Sequence, residues 1–451
     1  MKKKKALDLT SGPILKTLAG LALPIMASSF LATAYNLTDM AWIGMLGSKA
    51  VAGIGVGGMY VWLSQGLVAL ARMGGQVNVA QCCGSGEKQR AQHYSGAAIW
   101  LTIVFGVIFT AICLTFTDPL IAIFNVGDPE TLTAAKVYMR ITCGLTLFPF
   151  LTLTLTGLYT AQGDSRTPFF ANLAGLVVNM ILDPLIILGI GPFPRLEAAG
   201  AAIATTTAQF LVLVVLVAGV FRSGEDANIL KGMRLFARIP SEYFKSICRI
   251  GIPTALQSMA YCAISMVLTR FVSDFGPGAI ATFRVGGQIE SVSWNTADGF
   301  GAALNAFVGQ NYGAKKSERI REGYHISLKL LVVWGLVITV AFVFFPKPIA
   351  NLFFHETDVI EIATEYLMII GFSELLMCVE LMTVGALSGL GMTKLCSTIS
   401  ISLTGSRIPL AIVLVHMGMG LAGVWWAMTL TSMAKGIIFY LTFRRISNKL
   451  D

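Results

Sequence analysis

The sequence predicts an all-α polytopic membrane protein, with twelve transmembrane helices in two pseudo-symmetric six-helix lobes related as a parallel repeat. Three observations lead there. Of 451 residues, 55% are hydrophobic and only 13% charged, whereas single soluble cores stop growing at ~250–300 residues. Apolar runs of ~20 residues, the length that crosses a bilayer as a helix, recur along the whole chain. The second half also repeats the first at a nearly constant offset.

Taken in order, the spans fall roughly at 14–43, 50–75, 93–117, 131–156, 168–190, 198–221, 247–273, 279–308, 323–345, 359–386, 395–415 and 421–443. The first follows Lys2, Lys3, Lys4 and Lys5 but runs on past Asp39, with neither the short apolar core nor the cleavage site of a signal peptide. With the N-terminus inside, one side of the membrane holds those lysines with Lys88, Arg90, Arg166, Arg222, Lys231, Arg234, Arg238, Lys315, Lys316, Arg319, Arg321, Arg444, Arg445 and Lys449. The other side holds only Lys49, Arg195, Arg270 and Lys347, with Lys136 near a helix start. By the positive-inside rule both termini are cytoplasmic, in an inner membrane. The net charge of +9 therefore reports topology, and no nucleic-acid partner is expected.

The repeat is legible residue by residue. A shift of 229 carries Pro24 onto Pro253, Gly47 onto Gly276, Val56-Gly57-Gly58 onto Val285-Gly286-Gly287, Gln81 onto Gln310 and Arg90 onto Arg319. A shift of 228 then carries Tyr138 onto Tyr366, Gly157 onto Gly385 and Gly163 onto Gly391. Six spans per half put corresponding helices on the same side, so the repeat is parallel. The expected division is an N-lobe at 1–221, a polar and basic cytoplasmic linker at 222–246, and a C-lobe at 247–451. A cavity between such lobes that opens to either side by rocking is the expected mechanism.

The repeat fails where charge enters the membrane. In span 5, Asp183 is the only charged side chain between 169 and 190, and a carboxylate at the bilayer centre costs ~2.5–3.5 kcal/mol on insertion scales. Asn179 lies one helical turn before it on the same face. Pro184 has no N–H and leaves the Met180 carbonyl without its helical partner. Asp39 in span 1 maps onto Leu268, and Asp183 maps near Ile408, so neither acid is repeated. At a rise of ~1.5 Å per residue, Asp39, Asp183 and Thr205 lie roughly 7, 12 and 10 Å from the same membrane face. Tyr35 and Asn36 stand about one turn from Asp39. Two carboxylates close together in a low dielectric need compensation. Asp39, Asn179, Asp183 and Thr205 offer hard oxygens for Na⁺ or for a shared proton. The plainer reading is a polar cluster that locks two helices together.

The second lobe has its own acids, Glu290 and Asp298 in span 8 and Glu374 and Glu380 in span 10, as substrate or structural groups, with Arg284 and Arg407 as neutralising partners. Arg72 and Lys435 are expected to snorkel. The eight cysteines form no CxxC or zinc spacing and read as small apolar fillers. The four histidines form no metal or catalytic motif. No cofactor is implied.

These residues resemble the multidrug and toxic compound extrusion (MATE) transporters. The resemblance rests on Pro24 followed by Asp39, on Gln162-Gly163-Asp164-Ser165-Arg166-Thr167-Pro168, and on Asn179-Met180-Ile181-Leu182-Asp183-Pro184. It rests equally on Gly200 through Thr205 and on Gly309-Gln310-Asn311-Tyr312-Gly313-Ala314. It implies a secondary antiporter that exports organic, often cationic and amphipathic compounds in exchange for entering H⁺ or Na⁺. Asp39, Asn179, Asp183 and Thr205 match the family's first-lobe coupling cluster, with Tyr35 and Asn36 as neighbours and Pro24 as the hinge of span 1. Members like NorM use an acid shortly after the proline matching Pro253. Here Thr254 through Tyr261 has no carboxylate, which resembles the DinF-like branch and leaves Glu374 and Glu380 without an inherited role. The expected partners are small organic compounds and membrane lipids, with the chain a monomer. A lipid-linked oligosaccharide flippase of the same superfamily is the alternative, but it would need a more cationic cavity. An enzyme would need a nucleophile-and-base or metal set, and the sequence offers none.

Overall fold

The computed structural model describes residues 7–124, 128–224, 228–233, 239–354 and 356–450, and among these every regular element is helical. Lys2, Lys3, Lys4, Lys5, Arg234, Arg238 and His355 lie outside the described residues. In chain order the helices are α1 (Ile14–Gly44), α2 (Ser48–Ser85), α3 (Lys88–Thr115), α4 (Thr117–Ala122), α5 (Pro129–Gly144) and α6 (Leu147–Ala161). Next come α7 (Arg166–Ile187), α8 (Glu197–Arg222), α9 (Ser241–Ser273), α10 (Pro277–Gly313) and α11 (Ser317–Phe344). The chain ends with α12 (Pro346–Phe353), α13 (Thr357–Gly389), α14 (Thr393–Gly405), α15 (Arg407–Leu414) and α16 (Gly420–Ser447).

Local chemistry sets many of the boundaries. Asp128 accepts the Thr131 N–H at 2.9 Å and Pro129 follows at the first helical position, which together start α5. Asp164 accepts the N–H groups of Arg166 and Thr167, each at 3.1 Å, at the start of α7. Gly47 and Gly276, one repeat apart, have φ of 96° and 102° and make the same tight turn before α2 and α10.

Nine of the described helical runs are long and apolar enough to cross a membrane, or ten if α5 and α6, bent by 47°, form one span. Each of the twelve expected spans has a helical counterpart, and the shortfall has two causes. The 37-residue α10 carries Arg284, Glu290, Asp298 and several amides, which lower its apolarity. The run from Thr393 to Ser447 counts once, although the chain kinks at Gly418, whose φ of 89° is not helical, just before Gly420 opens α16. Large apolar side chains such as Leu23, Phe221, Phe344, Leu352 and Met417 stand exposed, as they do where the solvent is lipid.

The chain forms two compact units. The first comprises Met1–Asp8 and Leu23–Ala255, and the second Leu9–Ala22 and Leu256–Asp451. The division between them thus falls inside α1, just before Pro24, and inside α9, just after Pro253. In the first unit α2 packs on α3, α5 and α6, and α8 on α5, α6 and α7. Its main core gathers Leu70, Tyr94, Leu158, Tyr159, Leu216 and Ile247. The described part of the 222–246 segment is docked there. Asn228 caps the Leu230 N–H at 2.9 Å, the Ile229 N–H donates to Gln162 at 2.9 Å, and Leu230 is buried. In the second unit α13 packs on α10, α11 and α16 around Leu268, Tyr366, Leu367, Ile370 and Trp425. The eight cysteines are all unpaired.

Candidate functional site

Within the first unit, α7 brings Asn179 and Asp183 to one face, and both are wholly buried. The Asn179 Nδ2 donates to Asp183 Oδ1 at 3.0 Å. That bond fixes the carboxylate and turns the amide oxygen away from it. From α1, the Tyr35 hydroxyl donates to Thr205 Oγ1 on α8 at 2.9 Å, which places the face carrying Asp39 beside α8. Asp39 is half-buried and acts electrostatically on Asp183. Both acids act on Tyr35 and on Tyr138 of α5. Tyr138 is part of a buried apolar cluster with Ile43, Ile54, Ile187, Ala198, Ala201 and Ala202.

Five of the expected residues, Tyr35, Asp39, Asn179, Asp183 and Thr205, therefore come together. Asn36 is exposed. Pro24 sits inside α1 well before the cluster. Tyr138 was not anticipated as a site residue. The one signal that could have found it is its survival as an aromatic across the repeat, as Tyr366.

Three buried oxygens, Asp39 Oδ1, Asp183 Oδ2 and Asn179 Oδ1, have no hydrogen-bond donor. No Lys or Arg is among the described groups that act on either carboxylate. Buried acceptors are ordinarily satisfied, so this set suits a positively charged guest. Among the described residues no three His, Cys, Asp or Glu side chains converge as metal ligands. Two carboxylates with neutral oxygens suit a proton or an alkali cation better than zinc.

The MatE family profile matches residues 24–185 and 253–413. The chain belongs to the MATE family of transporters. The two matched stretches begin at Pro24 and Pro253, one repeat apart. A protein called "Probable multidrug resistance protein NorM" from Thermotoga maritima is 29% identical over 423 residues, which is 92% of this chain and 89% of its own. A protein called "FAD transporter" from Shewanella oneidensis is 26% identical over 362 residues, covering 80% and 79%. A solved outward-facing MATE multidrug transporter of the MOP superfamily matches with a TM-score of 0.90 over 100% of this chain and 99% of its own, at 23% identity. That last likeness is one of fold.

The second unit of this MATE transporter treats its acids differently. Lys435 Nζ lies 2.9 Å from Glu380 Oε1, and both are buried. Lys435 therefore does not snorkel, because a buried carboxylate holds it. Arg407 is buried and donates to Thr431 at 3.0 Å and Ser432 at 2.8 Å, and its charge acts on Glu290. Tyr366 donates to Glu290 at 3.2 Å. Glu374 is wholly buried beside Ser293 and Glu290. Asp298 lies on an exposed face of α10. Arg284 is also exposed and forms no ion pair among the described residues, so it is not the neutralising partner expected.

Proposed function

We propose that Asp39, Asp183, Asn179 and Thr205, flanked by Tyr35, take up H⁺ or Na⁺, and that its entry drives export of organic, often cationic and amphipathic compounds. The supporting observation is the set of three buried, donorless oxygens with no basic side chain beside them. Such a site binds a cation or a proton, and it favours whichever state of α1 completes it. The name of the Thermotoga maritima relative supports drug-like substrates, whereas that of the Shewanella oneidensis relative points to a flavin nucleotide. They do not favour the lipid-linked oligosaccharide alternative. The absence of a carboxylate from Thr254 through Tyr261 supports coupling through the first lobe, as in the DinF-like branch. The distribution of Lys and Arg supports cytoplasmic termini.

The test is transport of ethidium in proteoliposomes with ΔpH and ΔNa⁺ imposed separately, and with flavin adenine dinucleotide as an anionic comparison. Asp39→Asn and Asp183→Asn should each lower gradient-driven movement about tenfold or more, ~1.4 kcal/mol per decade, with expression unchanged. Full transport by both variants would remove the proposed site.

A further inference from the structure

Residues 9–12, just before α1, are held in the second unit by their peptide carbonyls. Asn311 Nδ2 donates to the Leu9 carbonyl at 3.0 Å, and Lys316 Nζ to that of Thr10 at 2.7 Å. Arg319 uses all three nitrogens: Nε to Leu9 at 3.3 Å, Nη2 to Ser11 at 2.7 Å and Nη1 to Gly12 at 2.8 Å. Four successive carbonyls are thus taken by three side chains: Asn311 at the end of α10, Lys316 in the turn that follows and Arg319 in the first turn of α11. Leu9, Leu18 and Leu21 are wholly buried in the same unit. From Leu23 onward α1 belongs to the first unit, where it carries Tyr35 and Asp39.

The repeat supplies a contrast. Arg90 is the counterpart of Arg319, and Glu87 that of Lys316. Arg90 is ion-paired to Glu87. With Lys at the equivalent position the second unit has no such acid, and Arg319 is free to grip backbone. The exchange of Glu for Lys separates an ordinary surface pair from a clasp.

We propose that Asn311, Lys316 and Arg319 are positioning residues for ion coupling. They fix the base of α1, so that cation uptake at Asp39 changes the helix at Pro24 rather than being lost as sliding of its leading end. Pro24, which lacks an N–H, lies two residues beyond the change of unit. This inference rests on the coupling role proposed for Asp39.

The test uses the full chain in proteoliposomes and compares Arg319→Gln, Arg319→Lys, Lys316→Glu and Asp39→Asn. Lys316→Glu is chosen to redirect Arg319 into the Glu87–Arg90 arrangement. Equilibrium binding of ethidium and the monodisperse yield should stay near wild type for the clasp variants. Driven transport by Arg319→Gln and Lys316→Glu should fall about tenfold, with the pH or Na⁺ midpoint shifted, and Arg319→Lys should recover part of the loss. Wild-type rates and midpoints in both variants would overturn the proposal. So would loss of binding and yield in step with transport, the mark of a merely structural role. Should Arg319→Gln not fold, Lys316→Glu carries the same comparison. If Asp39→Asn transports normally, the underlying coupling role fails; if it is dead while the clasp variants run normally, the clasp alone fails.

Discussion

Each unit of the repeated scaffold buries acidic side chains, at positions that the repeat does not share, yet only one of them supplies its own counter-charge. In the first, Asp39 and Asp183 act on each other with only neutral partners around them. In the second, Glu380 is paired to Lys435, and Glu290 feels both Arg407 and Lys435. Leu268, which holds the place of Asp39 in the repeat, is part of the second unit's core. The scaffold therefore does not determine where a cation must come from outside; the local balance of charge does.

The largest stability effect should expose that difference. Lys435→Met leaves Glu380 buried without its cation, and breaking a buried pair costs ~3–5 kcal/mol. Thermal unfolding in detergent should show a large loss, much of it restored when Glu380→Gln is added. Asp183→Asn removes an uncompensated charge, so it should leave unfolding level or raise it while transport is lost. Equal destabilisation by Lys435→Met and Asp183→Asn would erase the distinction between the units.

A smaller effect separates the two tyrosines that the repeat retains. Tyr366 is hydrogen-bonded to Glu290 at 3.2 Å, and a bond to an ionisable partner is worth ~0.5–3 kcal/mol. The Tyr138 hydroxyl has no hydrogen bond among the described residues, although both first-unit acids act on it. Tyr366→Phe should lower thermal stability and spare the ion dependence of transport. Tyr138→Phe should spare stability and move the pH or Na⁺ midpoint. The opposite pattern would mean that the first-unit site does not include α5.

Much of this was readable from residue order. Asn179 and Asp183 are four apart, so helix geometry alone put them on one face, and the 229-residue offset follows from matched Pro and Gly positions. Depth along two spans set Asp39 and Asp183 at a similar level, and the resemblance to the family joined them in one cluster. What stayed hidden depends on partners far apart in the chain. The Lys435–Glu380 pair joins α16 to α13, and nothing in either helix's own pattern marks the other. The clasp grips carbonyls, which every residue has and which leave no trace in composition. The bend near 145 between α5 and α6 lies inside one apolar stretch, and its local marks are Gly144 and Pro149 on either side.

The smallest expected effect lies at the paired starts of α5 and α13. Asp128 accepts the Thr131 N–H at 2.9 Å and the Thr131 hydroxyl at 2.8 Å, and it lies 3.2 Å from Lys49. The Thr131 backbone bond first, then its hydroxyl and Lys49, hold the Asp128 carboxyl below the usual carboxylate range. Its counterpart Glu356 sits at the start of α13 but makes no capping bond. Because the folded state favours the ionised Asp128, its contribution is complete above the ordinary carboxyl value of ~4 and fades as pH falls through the lower folded value. Asp128→Ala should therefore lower the unfolding temperature by about a degree at neutral pH, with the gap closing toward pH ~3. Glu356→Ala should change nothing at either pH. A pH-independent loss at Asp128 would assign its role to packing, and an equal loss at Glu356 would remove the contrast between the two helix starts.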